Sequence, residues 1–237
     1  MSRPVLELSG VVKDYRALRP LRIEHLAVQP GEQVGVVGVD QPAAEVLVNL
    51  VTGAVLPDRG EVVAFGRATA DIGSGDEWLV TVDRFGIVSE RAVLLEALSV
   101  VQNVAVPFTL EIEPPTPEIR ARAERLAAEV GLPAEVADRP VGELGPEMRA
   151  RVRLARGLAL DPGVLLFEHP TVGLSRSDVH LLARQIRDVG RRRRVASLIL
   201  TADLAFATAA ATRALTLDPA SGRLTDAGRR WWFSRRA

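Results

Sequence analysis

An α/β fold built on a parallel sheet is what this sequence predicts, and three observations carry that prediction. Residues 33–53, QVGVVGVDQPAAEVLVNLVTG, read as strand, turn and helix: Val34, Val36 and Val37 form a buried strand, Gly38 turns the chain, and Val46, Leu47, Leu50 and Val51 make an apolar helical face. Val164 to Phe167 is a continuous apolar run, as expected of a parallel strand covered on both faces, and the turn Asp161-Pro162-Gly163 leads into it. Beyond it a helix over 178–189, a strand over 196–201, a helix over 203–210 and a strand over 214–217 continue the alternation.

The remaining elements follow in order. Residues 5–12 and 21–28 alternate apolar and polar positions as half-buried antiparallel strands do, and Gln29-Pro30-Gly31 turns the second into the central strand. Pro57-Asp58-Arg59-Gly60 is a turn into a strand over 61–65, and another strand covers 84–88. From 90 to 160 the pattern becomes helical. Pro114, Pro115 and Pro117 punctuate a linker, Thr116 caps, and a helix over 118–130 carries Ile119, Ala123, Leu126, Ala127 and Val130 on one face until Gly131 stops it. A second helix over 146–160 shows Met148, Val152, Ala155 and Leu158 on one face, with Arg149, Arg151, Arg153 and Arg156 among them.

Composition narrows the function. The 237 residues suffice for one large or two small domains. Lys+Arg and Asp+Glu balance at 30 each, so no basic field points to a nucleic-acid partner and none is expected. The sequence has no cysteine, which excludes disulfides, thiolate metal sites and a Cys nucleophile. The first residues lack an apolar signal region and no run reaches transmembrane length, so a cytoplasmic protein is expected. Lys13 is the only lysine.

The strand-turn-helix has the frame of a phosphate-binding loop without its chemistry. On the pattern GxxGxxGxGK[ST]T, Gly35 and Gly38 match, while Gln41 and Ala43 take glycine positions, Ala44 the lysine and Glu45 the hydroxyl. Gln41 and Ala43 add a Cβ where φ > 0 would be adopted freely, and Pro42 removes a backbone donor. Glu45 sets a carboxylate at a helix N-terminus, where the dipole would otherwise attract phosphate. The anion hole is expected to be filled from within; an ordinary strand-turn-helix with no ligand is the other reading. Tyr15, between the first two strands, either stacks on a base or simply packs.

Three further segments are separated but keep a fixed order. DPGVLLFEHPTVGLS (161–175) resembles DPxLLLLDEPTxGLD, ELGPEMRARVRLARGL (143–158) resembles ELSGGMRxRVALARAL, and ERAVLLEALSVVQNVAVP (90–107) resembles a segment that opens with Gln and continues LTVxENVALP. Over nearly its full length the chain therefore resembles the nucleotide-binding subunits of ABC transporters. The Met148-Arg149 pair and Asn103-Val104-Ala105 resemble the Mla/Mce-type lipid-transport branch most closely. The resemblance implies a P-loop NTPase (RecA-like) parallel sheet with an antiparallel β subdomain, over 1–89 and 160–226, and a helical subdomain over 90–159. It implies an integral membrane permease as partner, a dimer with itself or another nucleotide-binding subunit, and a place on the inner face of the cell membrane. It assigns the nucleotide site to Tyr15, Gly35, Gly38, Asp40, Gln41, Ala43, Ala44, Glu45, Val46 and Glu90, and the surface facing a partner's nucleotide to Leu144, Gly145, Pro146 and Glu147.

The departures fall on chemical positions. The Walker B Asp, which holds Mg²⁺ through water, is Glu168, and the Glu that polarises the attacking water is His169. Glu90 replaces the Q-loop Gln, Ser175 the D-loop Asp and Ala202 the switch His. In the signature segment the hydroxyl is lost, Pro146 removes a donor and Glu147 adds repulsion. The expectation is a pseudo-ATPase subunit with no bound cofactor and no metal. Two alternatives stay open: a weak ATPase using Glu168 and His169 with ATP and Mg²⁺, and a soluble regulatory scaffold. The apolar pattern of 94–107 is kept, so a cleft beside Glu90 is expected to receive the permease, with Leu95 and Val101 as candidates and core packing as the other reading of each. The tail over 227–237, with Trp231 and Trp232 between arginines, is expected to dock on a partner or on the subunit itself.

Overall fold

The computed structural model describes residues 3–228. Along them run β1 (Leu6–Lys13), β2 (Leu21–Val28), β3 (Gln33–Val37), α1 (Gln41–Val51), β4 (Arg59–Ala64), β5 (Arg67–Ala68), α2 (Gly75–Val82), β6 (Phe85–Val88), α3 (Val100–Ala105), α4 (Pro117–Glu129), α5 (Pro146–Gly157), β7 (Val164–Glu168), α6 (Arg176–Arg193), β8 (Ala196–Thr201), α7 (Leu204–Ala210), β9 (Arg213–Leu217) and β10 (Leu224–Asp226). The apolar strands assemble into one sheet in the order β10-β9-β3-β8-β7-β6. Every pairing from β9 to β6 is parallel, and β10 closes the edge antiparallel to β9. All residues of β7 and β8 are buried, because helices cover both faces. The alternating strands form a second, antiparallel sheet, β2-β1-β4-β5.

Two apolar clusters hold these layers. One joins β1, β2 and α1 to the central strands through Leu8, Ile23, Leu47 and Leu198; the other joins α3, α4, α5 and α6 through Val104, Leu126, Leu154 and Leu182. The second reaches the sheet at a pair of glycines: a Cβ on Gly86 would lie 2.1 Å from the Gly157 carbonyl oxygen, so only glycine lets α5 touch β6. Thr116 and Pro117 start α4 as expected, Thr116 Oγ1 accepting from the Ile119 N–H at 3.4 Å.

The structure corrects the expected helical pattern of 94–107. Only α3 is an α-helix there, six residues long. Residues 94–98 form a loop fastened by the fully buried Asn103 side chain, which accepts from the Leu95 N–H at 2.8 Å and donates to the carbonyls of Leu95, Leu98 and Ser99. Val101, expected in a docking groove, is fully buried and belongs to the core; Leu95 is 43% exposed and remains a surface residue. The sequence reading also missed α2, β5 and β10. α2 is eight residues long and buries none of them, and its Ser74 cap with the first-turn Asp76 and Glu77 marks its start.

Candidate functional site

The turn after β3 is set by Gly38, at φ 92, where a Cβ would meet the Leu217 carbonyl oxygen at 2.8 Å. The helix then begins almost at once. Asp40 is its N-cap: Oδ1 accepts from the Ala43 N–H at 2.9 Å, the Asp40 carbonyl accepts from the Ala44 N–H at 2.9 Å, and Pro42 stands in the first turn. Gln41 and Ala43 are therefore not strained loop residues, as expected from the pattern, but the first turn of α1. Asp40 as cap and Pro42 in the first turn let the helix run back through what would be a loop, and the Ala43 and Ala44 amides are used internally. Ala44 is fully buried, and Val46 packs half-buried against the core.

The carboxylate expected to repel phosphate is not free. Glu45 accepts from Arg91 Nη1 at 3.2 Å. Behind it Glu168, fully buried at the end of β7, accepts from Arg91 Nε at 2.8 Å, from Arg91 Nη2, and from Ser89 Oγ at 2.7 Å. The bidentate guanidinium matches both carboxylate oxygens of Glu168 and so satisfies a buried charge. Hydrogen bonding to Glu168, then its charge and that of Glu45, raises the Arg91 pKa against the cost of burial. Glu168 thus faces a cation, and that cation belongs to the protein. In the family pattern Mg²⁺ stands between the residue at the Glu45 position and the carboxylate at the Glu168 position; here one guanidinium touches both.

Glu90 does not point to this site. Its carboxylate reaches Arg153 Nη1 at 3.3 Å, on α5, where the resembling segment has alanine. Two replacements thus compensate each other, and Glu90 and Arg91 tie adjacent backbone positions to opposite layers. His169 adopts φ 42 and donates its N–H to the Leu200 carbonyl at 2.8 Å; its side chain is nine-tenths buried, and Nε2 has no partner among the described residues. Ser175 has become the N-cap of α6, accepting from the Asp178 N–H at 3.3 Å.

The signature segment also departs from expectation. Glu147 forms an ion pair with Arg151 one turn along α5, both side chains largely buried, so its charge is neutralised rather than presented to a partner. Gly145 is the N-cap without a side-chain bond, Pro146 is the first residue of α5, and the buried Leu144 gives its carbonyl to Arg149 Nε at 3.0 Å. At the other end of the site a cleft of about 440 Å³ remains, lined by Tyr15, Arg22, Gly38, Asp40 and Ala43. Burial, then the Asp40 charge, pushes the Tyr15 phenol up. This cleft is open, whereas the turn beside it is packed as the start of α1. Among the described residues no cluster of three His, Cys, Asp or Glu side chains could hold a metal.

Arg91 is the residue that sequence reasoning missed. A signal was present: with the loop lysine gone, Glu45 and Glu168 leave two charges in need of a cation. Nothing in the sequence says which arginine supplies it. Trp231 and Trp232 lie outside the described residues.

The ABC transporter family model matches residues 21–172. The methionine import ATP-binding protein MetN of Cereibacter sphaeroides is 34% identical over 205 residues, 86% of this chain and 56% of that protein, so the chain spans little more than half its length. The lipoprotein-releasing system ATP-binding protein LolD of Chromohalobacter salexigens is 30% identical over 226 residues, covering 94% of this chain and 93% of that one. Among solved structures, cbiO1 of Clostridium perfringens, part of the ABC transporter complex cbiONQ, superposes with a TM-score of 0.82 at 20% identity, over 99% of this chain and 92% of that one. The dimeric bacterial ABC transporter cassette MJ0796 does so at 0.77 and 22%, over 93% and 98%. These two likenesses speak to the fold, whereas the family match and the LolD relative speak to descent: the chain belongs to the ABC transporter ATP-binding family.

Proposed function

We propose that this chain is a non-catalytic cassette subunit, kept for assembly with a membrane permease and a second nucleotide-binding subunit rather than for ATP hydrolysis. The observation that carries the reading is the Arg91 guanidinium, bonded to both Glu45 and Glu168 where the family places its metal ion. A resident cation of this kind competes with Mg²⁺, and the helical first turn of α1 leaves no loop to wrap a phosphate. The subunit would sit on the cytoplasmic face of the membrane. We further propose a lipid or lipidated cargo, a reading supported by the lipid-transport resemblance of Met148-Arg149 and by LolD relatives, which are named for lipoprotein release. The relatives named above are of the LolD and MetN kinds and do not single out the Mla/Mce branch.

Millimolar Mg-ATP is expected to leave the melting temperature unchanged. A ligand at about 100 times its Kd adds about 2.7 kcal/mol to the folded state, an upward shift of roughly 5–11 °C that a melting curve would reveal. Such a shift would favour the competing reading of a weak ATPase, for which the unpartnered His169 Nε2 is the supporting feature. That reading has its own check. Under the non-catalytic reading, phosphate release by the parent protein and by His169→Ala is equal and at background; a loss confined to the variant would make the imidazole a base.

Docking is tested at Leu95, beside the exposed Val93. Leu95→Arg is expected to abolish co-purification with a co-expressed permease while melting within about 2 °C of the parent, since a surface charge opposes docking more than folding. Normal co-purification by the folded variant would count against this cleft.

A further inference from the structure

We propose that the groove beneath α2 is a binding site for a small amphiphilic carboxylate, separate from the nucleotide site. The groove encloses about 370 Å³ between α2 and the β4–β5 hairpin, within the size range of small-ligand pockets. Its walls are apolar, from Ala64, Phe65, Ala68, Ile72 and Val80. Two polar groups stand out. Thr69 is only 3% exposed, yet its Oγ1 has no hydrogen-bond partner among the described residues. Arg84 lies with its guanidinium carbon 3.7 Å above the Phe65 ring and pairs with no carboxylate among the described residues.

The structure holds this arrangement open. Phe65 packs on Phe85 with ring centroids 4.9 Å apart, and its edge fills the place where a Cβ of Gly163 would lie. α2 buries none of its residues; it is hung over the groove by the Trp78 Nε1 bond to the Thr52 carbonyl at 3.2 Å, and it leaves Val80 68% exposed. A short helix with no buried face is marginal by itself, and an apolar ligand body beneath it would supply the missing contact.

Charge selects the ligand class. Of the two arginines in the wall, Arg67 is already spent: it donates to Glu77 at 2.8 Å and to the Asp71 carbonyl, and Glu77 is further fixed by the Gly73 N–H at 3.0 Å. Arg84 keeps a free planar fork, the geometry that fits a carboxylate. Asp76 is the opposing charge in the wall; it stands in the first turn of α2, whereas Arg84 follows the last turn. Asp83 and Asp161 flank Arg84 across a second, shallower cleft, and Asp161 is paired with Arg193 at 3.2 Å. A carboxylate on Arg84, an apolar body under α2 and a hydrogen bond at Thr69 would use the open guanidinium, the apolar walls and the buried hydroxyl of the groove.

The test uses the full chain, with octanoate and phenylacetate as probes and octanamide and phenylacetamide as their neutral counterparts. An acid is expected to bind saturably by calorimetry and to raise the melting temperature, at least tenfold more tightly than its amide. Arg84→Gln should weaken the acid at least tenfold and leave the amide unchanged. Thr69→Val should raise the melting temperature of the free protein by removing an unpaired buried hydroxyl, and weaken the acid several-fold. Absence of saturable binding by either acid, equal binding of acid and amide, or unchanged affinity in a folded Arg84→Gln would each overturn the proposal. The acid–amide contrast on the unaltered protein decides even if a variant does not fold.

Discussion

Arg91→Ala is expected to destabilise the protein by about 3 kcal/mol, lowering the melting temperature by roughly 6–12 °C. The cost comes from what is left behind. Glu168 stays fully buried at the end of β7 with Ser89 Oγ as its one remaining side-chain partner among the described residues, and Glu45 loses its cation. Breaking a buried pair by removing one member costs about 3–5 kcal/mol, and the lower end applies because the Arg91 side chain is 39% exposed. If the loss is electrostatic, Glu168→Gln in the Arg91→Ala background should restore about half of it, because an amide needs no counter-charge. A loss under about 1 kcal/mol, or no rescue, would mean that the guanidinium does not hold the site together. The single variant should still fail to bind Mg-ATP, since the helix start at Asp40 is unchanged; measurable binding would make Arg91 the sole barrier.

Ala44→Lys is expected to cost at least about 3 kcal/mol and to restore no nucleotide binding. In an open phosphate loop this substitution would return the missing cation. Here Ala44 is fully buried within α1, its N–H already bonded to the Asp40 carbonyl. A lysine would overpack the cluster around Leu47 and bring an ammonium into it, and neither effect has a compensating partner. Denaturant unfolding with and without Mg-ATP separates the possibilities. A stable variant that gains ATP-dependent stability would show that α1 unwinds into a loop when given a lysine.

Both variants probe the same region, where the resembling pattern would hold phosphate and metal and where this chain has a capped helix start and the Arg91 ion pairs. The departures compensate one another within the chain: Arg91 answers Glu45 and Glu168, Arg153 answers Glu90, and Arg151 answers Glu147. Each carboxylate would be an unpaired charge if read alone from the sequence, and each is paired in the structure. Such pairing is consistent with the proposed non-catalytic role.

By itself the sequence determined the architecture and the positions where the chemistry departs. Apolar runs such as Val164 to Phe167 have few ways to bury both faces, and the alternation of strand and helix leaves a parallel sheet as the one that does so. The loss of the lysine at Ala44 and the hydroxyl at Glu45 was equally legible, because it depends only on spacing along the chain. What the replacements do instead was decided by tertiary structure. Whether Gln41 and Ala43 are strained or helical depends on the Asp40 cap, and whether Glu45 and Glu147 repel depends on Arg91 and Arg151. Val101 is core and Leu95 surface because Asn103 folds residues 94–98 into a loop rather than a helix. A charge has no sign of effect until its partner is known, and Arg91 lies 46 residues from Glu45 and 77 from Glu168 along the chain. Contacts at such separations are fixed by the packing of the sheet and not by any local pattern.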